Sequence, residues 1–419
     1  DDAYAYQRTY PQGELYAPIT GYFSTSYASM TGLERAGNTV LNGEDPSLFS
    51  SRVKSLITGQ TQRGGSLELT IDPEVQQAAW DALAGRRGSV VALNPSTGAI
   101  LAMVSSPSYD PNLLASHEDG VAETAYESLS NDEARPLDNR AIGGNLYPPG
   151  STFKILTVAA GLRTGKINAD SEVDAPDTLT LPGTNHALSN YASESCGNGR
   201  VTLAYAFAES CNTPFAQLAM DVGDDALADE ASRWGFGSDL SVPLPVSHSV
   251  YPANDGPAQT AMAGIGQQSV RTTPLMMAMV AATVANDGEQ MAPYIISQTL
   301  DADLQVVSTT KPTVARTPID SQTAATLTGL MQQAVSSGTG TSAQVAGVSV
   351  AGKTGTAQTG SDDGGPITWF IGFAGTDINN PTVAVAVVLD GGEQIPTTGT
   401  GGSVAGPIAA SVIDAAVDQ

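Results

Sequence analysis

Apolar positions in the stretch Tyr147–Ala160, YPPGSTFKILTVAA, follow the period of a buried helix. Phe153, Ile155, Leu156, Val158 and Ala159 recur at helical spacing behind a stiff Pro148-Pro149-Gly150 turn, which predicts a helix starting at or near Ser151. Further upstream, Asp72-Pro73 reads as an N-cap followed by proline at the first helical position. Val75, Ala79, Ala82 and Leu83 line one face of that helix, and Gly85 can end it. Ser89–Leu93 and Ala99–Val104 are apolar runs around an Asn94–Gly98 turn, the pattern of a hairpin. Residues 105–150 are polar and turn-rich, and a helical region interrupted by loops follows, from Ser151 to about Ala285. Strand patterns return at Val345–Ala351, Trp369–Ala374 and Val383–Leu389, and Gly402–Val417 reads as a closing helix. Two early strands, a helical insert and three late strands predict one antiparallel sheet completed by both ends of an α+β domain.

The first 65 residues differ in kind. Tyr4, Tyr6, Tyr10, Tyr16, Tyr22 and Tyr27 cluster there with no catalytic pattern, Pro46–Ile57 reads as a short amphipathic helix, and Gly59–Gly65 as a linker. This predicts a small non-catalytic domain over residues 1–65 and a main domain over 66–419. The alternative is an irregular arm packed on the main domain.

Composition narrows the function. The 419 residues include 43 acidic and 18 basic ones, a net charge of −25, which argues against a nucleic-acid partner held by Lys and Arg. The longest nearly apolar run, Pro274–Ala285, is shorter than the roughly 18–20 residues that cross a bilayer, and reads as a buried helix. Cys196, Cys211 and three scattered histidines (His117, His186 and His248) show no metal-ligand spacing and no nucleophile-elbow context, so no metal or cofactor is expected. The two cysteines read either as a disulfide in an oxidising compartment, worth about 3 kcal/mol for a loop of about 15 residues, or as buried thiols.

Three short motifs carry chemistry. Ser151 and Lys154 are one helical turn apart and face the same way. A serine at a helix N-terminus, with an amine that burial can neutralise, is placed to be an activated nucleophile. Ser210-Cys211-Asn212 follows, and then Lys353-Thr354-Gly355-Thr356. The last of these overlaps Gly347–Thr354, GVSVAGKT, which fits the letters of a phosphate-binding loop. Val345, Val348 and Val350 make the would-be loop a strand, and no helix can follow it, so it reads as an edge strand ending in Lys353-Thr354-Gly355. Gly399-Thr400-Gly401 resembles part of a dinucleotide fingerprint without room for a βαβ unit, and reads as a loop before a helix.

The ordered set S-x-x-K, S-x-N, K-T-G is the signature of penicillin-recognising serine enzymes. From Ser66 onward the chain resembles the class B penicillin-binding proteins, in particular their actinobacterial type A branch. Flanking matches include TIDPEVQQAAWDAL, NPSTGAILAMVSSPSYDPN, LDNRAI and TWFIGFAG. The resemblance implies a five-stranded sheet against a helical subdomain with the site between them, a pedestal domain at residues 1–65, and a membrane anchor preceding residue 1 that places the enzyme on the extracytoplasmic face. It implies a D,D-transpeptidase that transfers peptidoglycan stem peptides ending in D-Ala-D-Ala, is blocked by β-lactams, and works beside cell-wall synthesis and division proteins. Ser151 would attack, Lys154 would take its proton, and Ser210 would relay a proton to the leaving D-Ala beside Lys353. Asn212 would bond Lys154 and the substrate amide. Thr354 and Thr356 would hold the terminal carboxylate beside Gly355, and the N–H groups of Ser151 and Thr356 would form the oxyanion hole. Two alternatives stand beside it: a D,D-carboxypeptidase with water as acceptor, and a non-catalytic penicillin sensor or scaffold.

A β-lactamase reading requires a glutamate that activates water, held in an E-x-x-x-N pattern between S-x-N and K-T-G. Glu230 and Glu289 are the glutamates in that interval and neither fits, while Glu127–Asn131 fits but precedes Ser151. Penicillin is therefore expected to bind nearly stoichiometrically and to leave slowly.

Overall fold

The computed structural model describes residues 6–49, 53, 57, 59, 63–185, 187–190, 195–240, 242–358, 365–392 and 394–417. Its main sheet is built from β1 (Gly88–Leu93), β2 (Ile100–Ser106), β3 (Ser349–Ala357), β4 (Gly365–Gly375) and β5 (Val383–Gly392). The spatial order is β3-β4-β5-β1-β2 and every neighbouring pair is antiparallel. The central strands β5 and β1 are buried almost throughout, which is why they read as continuous apolar runs rather than alternating ones.

The helices are α1 (Pro73–Leu83), α2 (Val121–Asn131), α3 (Lys154–Arg163), α4 (Leu203–Ala208), α5 (Thr213–Val222), α6 (Asp224–Trp234), α7 (Pro257–Gly264), α8 (Pro274–Ala285), α9 (Ser321–Ser336) and α10 (Gly406–Val417). α1 and α10 pack together on one face of the sheet, while α8 crosses the other and leads into the helical subdomain. α8 is buried along nearly its whole length. None of the described helices is long and apolar enough to cross a membrane.

Several expectations need correction. The Lys353-Thr354-Gly355 strand does not end at the motif: β3 runs on to Ala357, and its apolar start at Val345 lies outside it because Gly347 turns the chain with φ +79°. The polar stretch 105–150 contains α2, an 11-residue helix whose apolar stripe is made largely of small residues, with only Ala122 fully buried. Ala125 and Leu129 fasten it to Tyr10, Tyr22, Tyr109 and Leu114. The helical region also holds two antiparallel strand pairs, Glu172–Ala175 with Gly199–Thr202 and, between them in the chain, Thr178–Thr180 with Ala187–Ser189. At the end of α1 the left-handed turn begins at Ala84, one residue before Gly85. α10 is preceded by a wide helical turn at Gly401–Ala405.

The helix expected over Pro46–Ile57 falls largely outside the described residues, as do His186 and part of the Gly59–Gly65 linker. What is described there is a 3-10 turn, Pro46–Leu48, capped by Asp45, with Phe49, Val53 and Ile57 helical beyond it. Residues 6–49 form short helical turns and one small antiparallel strand pair, Phe23–Ser24 with Ser29–Met30, sewn to the main domain. Gln76 Nε2 donates to the Leu15 carbonyl (3.1 Å) and Asn139 Nδ2 to that of Pro18 (2.7 Å). Ile19 and Leu33 join the main core, and Tyr10 and Tyr22 pack with Tyr109 and Leu114.

Candidate active site

The turn before α3 is set by Gly150. Its φ is +53°, and a Cβ there would stand 3.0 Å from the Thr356 carbonyl oxygen, so glycine lets the turn lie against β3. A 3-10 turn, Gly150–Phe153, then leads into α3, with Ser151 half-buried at the start and Lys154 fully buried one turn on. Gly355 serves the same approach from the other side, since a Cβ on it would meet the Pro149 carbonyl at 2.8 Å. Opposite Gly355 in the β3–β4 ladder stands Trp369, whose Nε1–H donates to the Pro148 carbonyl at 3.0 Å. Turn and strand are therefore clamped together.

Under that clamp two buried amines meet one hydroxyl. Lys353 Nζ donates to Ser210 Oγ at 2.7 Å, and Lys154 Nζ stands 3.5 Å from the same oxygen. Lys154 Nζ also lies within hydrogen-bond distance of the carbonyls of Ser210 and Cys211, both at 2.8 Å, and of Asn212 Oδ1 at 2.9 Å. Among the described residues it makes no hydrogen bond to Ser151. Each amine also stands over an aromatic face, Lys154 on Phe215 and Lys353 on Phe207.

Burial moves the Lys154 ammonium well below the usual lysine range, and the charge on Lys353 adds to the effect. Carbonyl oxygens around Nζ favour the cation, but they do not offset complete desolvation beside a second buried amine. Burial likewise pushes Lys353 down to about 7, with the Glu209 carboxylate acting the other way.

The S-x-N segment is held by its surroundings. Ser210 has a left-handed backbone, φ +58°, unusual for serine. Next to it, Cys211 is joined to Cys196 by a disulfide. Asn190 Oδ1 accepts from the N–H groups of Asn212 and Thr213 (2.8 and 3.1 Å) and so caps the start of α5 from outside. Asn212 Nδ2 is occupied by the Ser189 carbonyl at 3.2 Å.

These elements enclose a cleft of about 490 Å³. Ser151, Ser210 and Asn212 line it, as do Thr354, Gly355 and Thr356. Thr354 Oγ1 lies 2.6 Å from Thr339 Oγ1, and Thr356 Oγ1 accepts from the Gly401 N–H at 3.2 Å. Neither His117 nor His248 lines the cleft; His248 pairs with Asp239 on the surface. Sequence reasoning passed over Asn190, Glu209, Thr339 and Trp369. Of these, Glu209 carries a signal in the sequence, since it directly precedes Ser210.

The fold and this triple junction define a class. Residues 88–414 match the family model for the penicillin-binding protein transpeptidase domain, and residues 1–67 that for the penicillin-binding protein A dimerisation domain. The chain belongs to the class B penicillin-binding proteins. Within that class it is similar to the peptidoglycan D,D-transpeptidase PbpA of Mycolicibacterium smegmatis, 46% identical over the whole of this chain and 86% of the relative. The PbpA of Mycobacterium tuberculosis is 44% identical over the whole chain and 85% of the relative. Among solved structures, the penicillin G acyl-enzyme complex of M. tuberculosis penicillin-binding protein A superposes with a TM-score of 0.92 at 44% identity, covering 99% of this chain and 95% of that one.

Proposed function

We propose that this chain is a serine D,D-transpeptidase that crosslinks peptidoglycan stem peptides through an ester on Ser151 and is trapped there by β-lactams. The observation that carries the reading is the convergence of Lys154 and Lys353 on the Ser210 hydroxyl, beneath the turn that presents Ser151. Burial favours the neutral form of Lys154, and a neutral amine donates two protons and leaves a lone pair for the Ser151 proton. Ser151 Oγ then attacks the penultimate D-Ala carbonyl. The Ser151 N–H, in a first turn whose N–H groups lack helical acceptors, and the Thr356 N–H stabilise the oxyanion, each worth about 3 kcal/mol. Ser210, bonded to Lys353, passes a proton to the leaving D-Ala nitrogen. Thr354, Thr356 and the Lys353 charge receive the terminal carboxylate beside Gly355, and Asn212 fixes Lys154. An amine of a second stem resolves the ester.

In this reading residues 66–419 form the transpeptidase domain and residues 1–65 the pedestal. The pedestal holds the site at a distance from a membrane anchor on the extracytoplasmic face, among cell-wall synthesis and division proteins. The test is labelling with a fluorescent penicillin. One equivalent adds to a tryptic peptide containing Ser151, and Ser151→Ala abolishes it; undiminished covalent labelling of that variant would defeat the assignment. Incubation with a donor stem and a D-amino acid yields exchange product, whereas release of D-Ala alone would make the enzyme a D,D-carboxypeptidase.

A further inference from the structure

The cleft is lined almost wholly by neutral groups. Lys154 and Lys353 lie beneath its floor, fully buried, and among the described lining residues Glu209 alone carries a charged side chain. Glu209 is solvent-exposed and makes no ion pair or side-chain hydrogen bond among the described residues. It sits at the end of α4, its N–H held by the Tyr205 carbonyl at 2.9 Å, which fixes it beside Ser210. The reacting end of a donor peptide gives this carboxylate nothing to bind, because it ends in a carboxylate of its own, which the hydroxyls of Thr354 and Thr356 on β3 would receive. What an anionic group at the open edge of this cleft attracts is a cation, and the second substrate of a transpeptidase arrives as one.

Resting on the transpeptidase reading, we propose that Glu209 binds the primary ammonium group of the acceptor stem and thereby favours amine over water in resolving the Ser151 ester. The ammonium docks on the Glu209 carboxylate, loses one proton to solvent, and its nitrogen attacks the ester carbonyl. The C–O bond to Ser151 breaks as the C–N bond forms. The second nitrogen proton returns through Lys154 to Ser151 Oγ, leaving an amide and free enzyme. Glu209 is an acceptor-binding residue here, and the proton transfers belong to the lysines.

The experiment uses the whole chain, a donor stem ending in D-Ala-D-Ala, and an acceptor stem with a free side-chain amine. Labelled penicillin first counts the competent sites in each preparation. Glu209→Gln raises the apparent KM for the acceptor by about 3–10-fold and shifts product from crosslink toward hydrolysis, and Glu209→Lys raises it further, while Glu209→Asp restores most of the preference. Raising ionic strength brings the wild-type acceptor KM toward that of Glu209→Gln, whose own value stays flat, because an exposed charge is screened within about 10 Å at 0.1 M salt. An unchanged acceptor KM in Glu209→Gln overturns the proposal. So does a loss confined to hydrolysis and penicillin release, which would make Glu209 a base for water, or one confined to acylation, which would place its action on Lys353. If the wild-type chain takes no penicillin at Ser151, the transpeptidase reading itself falls and this assignment with it.

Discussion

The two ends of α3 hold a positive charge in opposite ways. At its C-terminus, Arg163 meets Glu230 through two bonds, Nε–Oε2 at 2.6 Å and Nη2–Oε1 at 2.9 Å, and donates to the Pro318 carbonyl at 2.8 Å. Trp234 Nε1 completes the Glu230 carboxylate at 2.7 Å. The hydrogen bond to Glu230 lifts the Arg163 guanidinium above its usual range, and the helix dipole favours a cation there. At the N-terminus Lys154 has no carboxylate partner among the described residues, sits at the dipole's positive end, and faces a second amine across Ser210. One helix thus carries a guanidinium that keeps its charge at any working pH, held in a carboxylate pair, and an ammonium whose charge isolation makes removable. A structural cation is surrounded by anions, whereas a base is placed where its protonated form is least welcome.

The largest expected break in this contrast comes from Lys154→Arg. Arginine keeps the cation and cannot release its proton, so acylation by penicillin falls by about 10²–10⁴-fold. Stopped-flow labelling measures it, and a near-normal rate would remove Lys154 from the proton path. Arg163→Lys, by contrast, leaves acylation within a few-fold. Next in size is Glu230→Ala, which strands Arg163 and the buried Trp234 N–H. Breaking a fully buried pair costs about 3–5 kcal/mol, and with Arg163 about one-third exposed the loss here is about 2–3 kcal/mol. Denaturant unfolding reads that loss, and penicillin labelling of the folded fraction stays near one equivalent.

The two lysines also predict a pH profile. Lys154 must lose its proton and Lys353 must keep its own; burial displaces both downward, the Lys353 charge acts further against the Lys154 ammonium, and Glu209 opposes the shift at Lys353. Second-order acylation therefore rises at low pH as Lys154 empties and falls above about 7 as Lys353 empties, by up to about tenfold per pH unit. At saturating β-lactam the falling limb moves to higher pH, because the bound carboxylate holds the Lys353 proton. A flat profile from pH 6 to 9 would contradict the assignment. The smallest effect is that of Trp369→Phe, which keeps the ring and loses the bond to Pro148. One net hydrogen bond is worth about 1 kcal/mol, so acylation slows about fivefold with the β-lactam dissociation constant nearly unchanged.

What could be read in advance follows the range of the forces involved. Ser151 and Lys154 are one turn apart at a helix start, and Lys353 follows the valine-rich run Val345–Val350 into β3, so local spacing reveals both. The ordered motifs make the three pieces a set, and the early and late strand patterns foretell the sheet. Asn190, Thr339 and Trp369 were not legible, since each reaches the site through long-range pairing: Asn190 caps a helix it does not belong to, and Trp369 touches Pro148 across the sheet edge. α2 was missed because its inward face is mostly alanine, Ala122 and Ala125 beside Leu129, in a run that is otherwise largely polar. The strand pairs between Glu172 and Thr202 were missed because their strands are short and mostly exposed.

The strand order has a consequence in time. β1 and β2 are synthesised early, yet β1 finds its partner β5 only when residues 383–392 exist, with Ala384 opposite Leu93 and Leu389 opposite Gly88. Ser151 and Ser210 emerge in the interval between. Contacts this distant in sequence make folding slow and leave the first hairpin with an unpaired edge while it waits. A nascent chain that has passed Asn212 but not reached β3 holds the nucleophile and the Ser210 hydroxyl without Lys353, without Trp369 to tie down the turn, and without a strand to receive a peptide. Competence is acquired in one late event, the docking of β3, β4 and β5 onto β1, and until then the reactive serine has no site to react in.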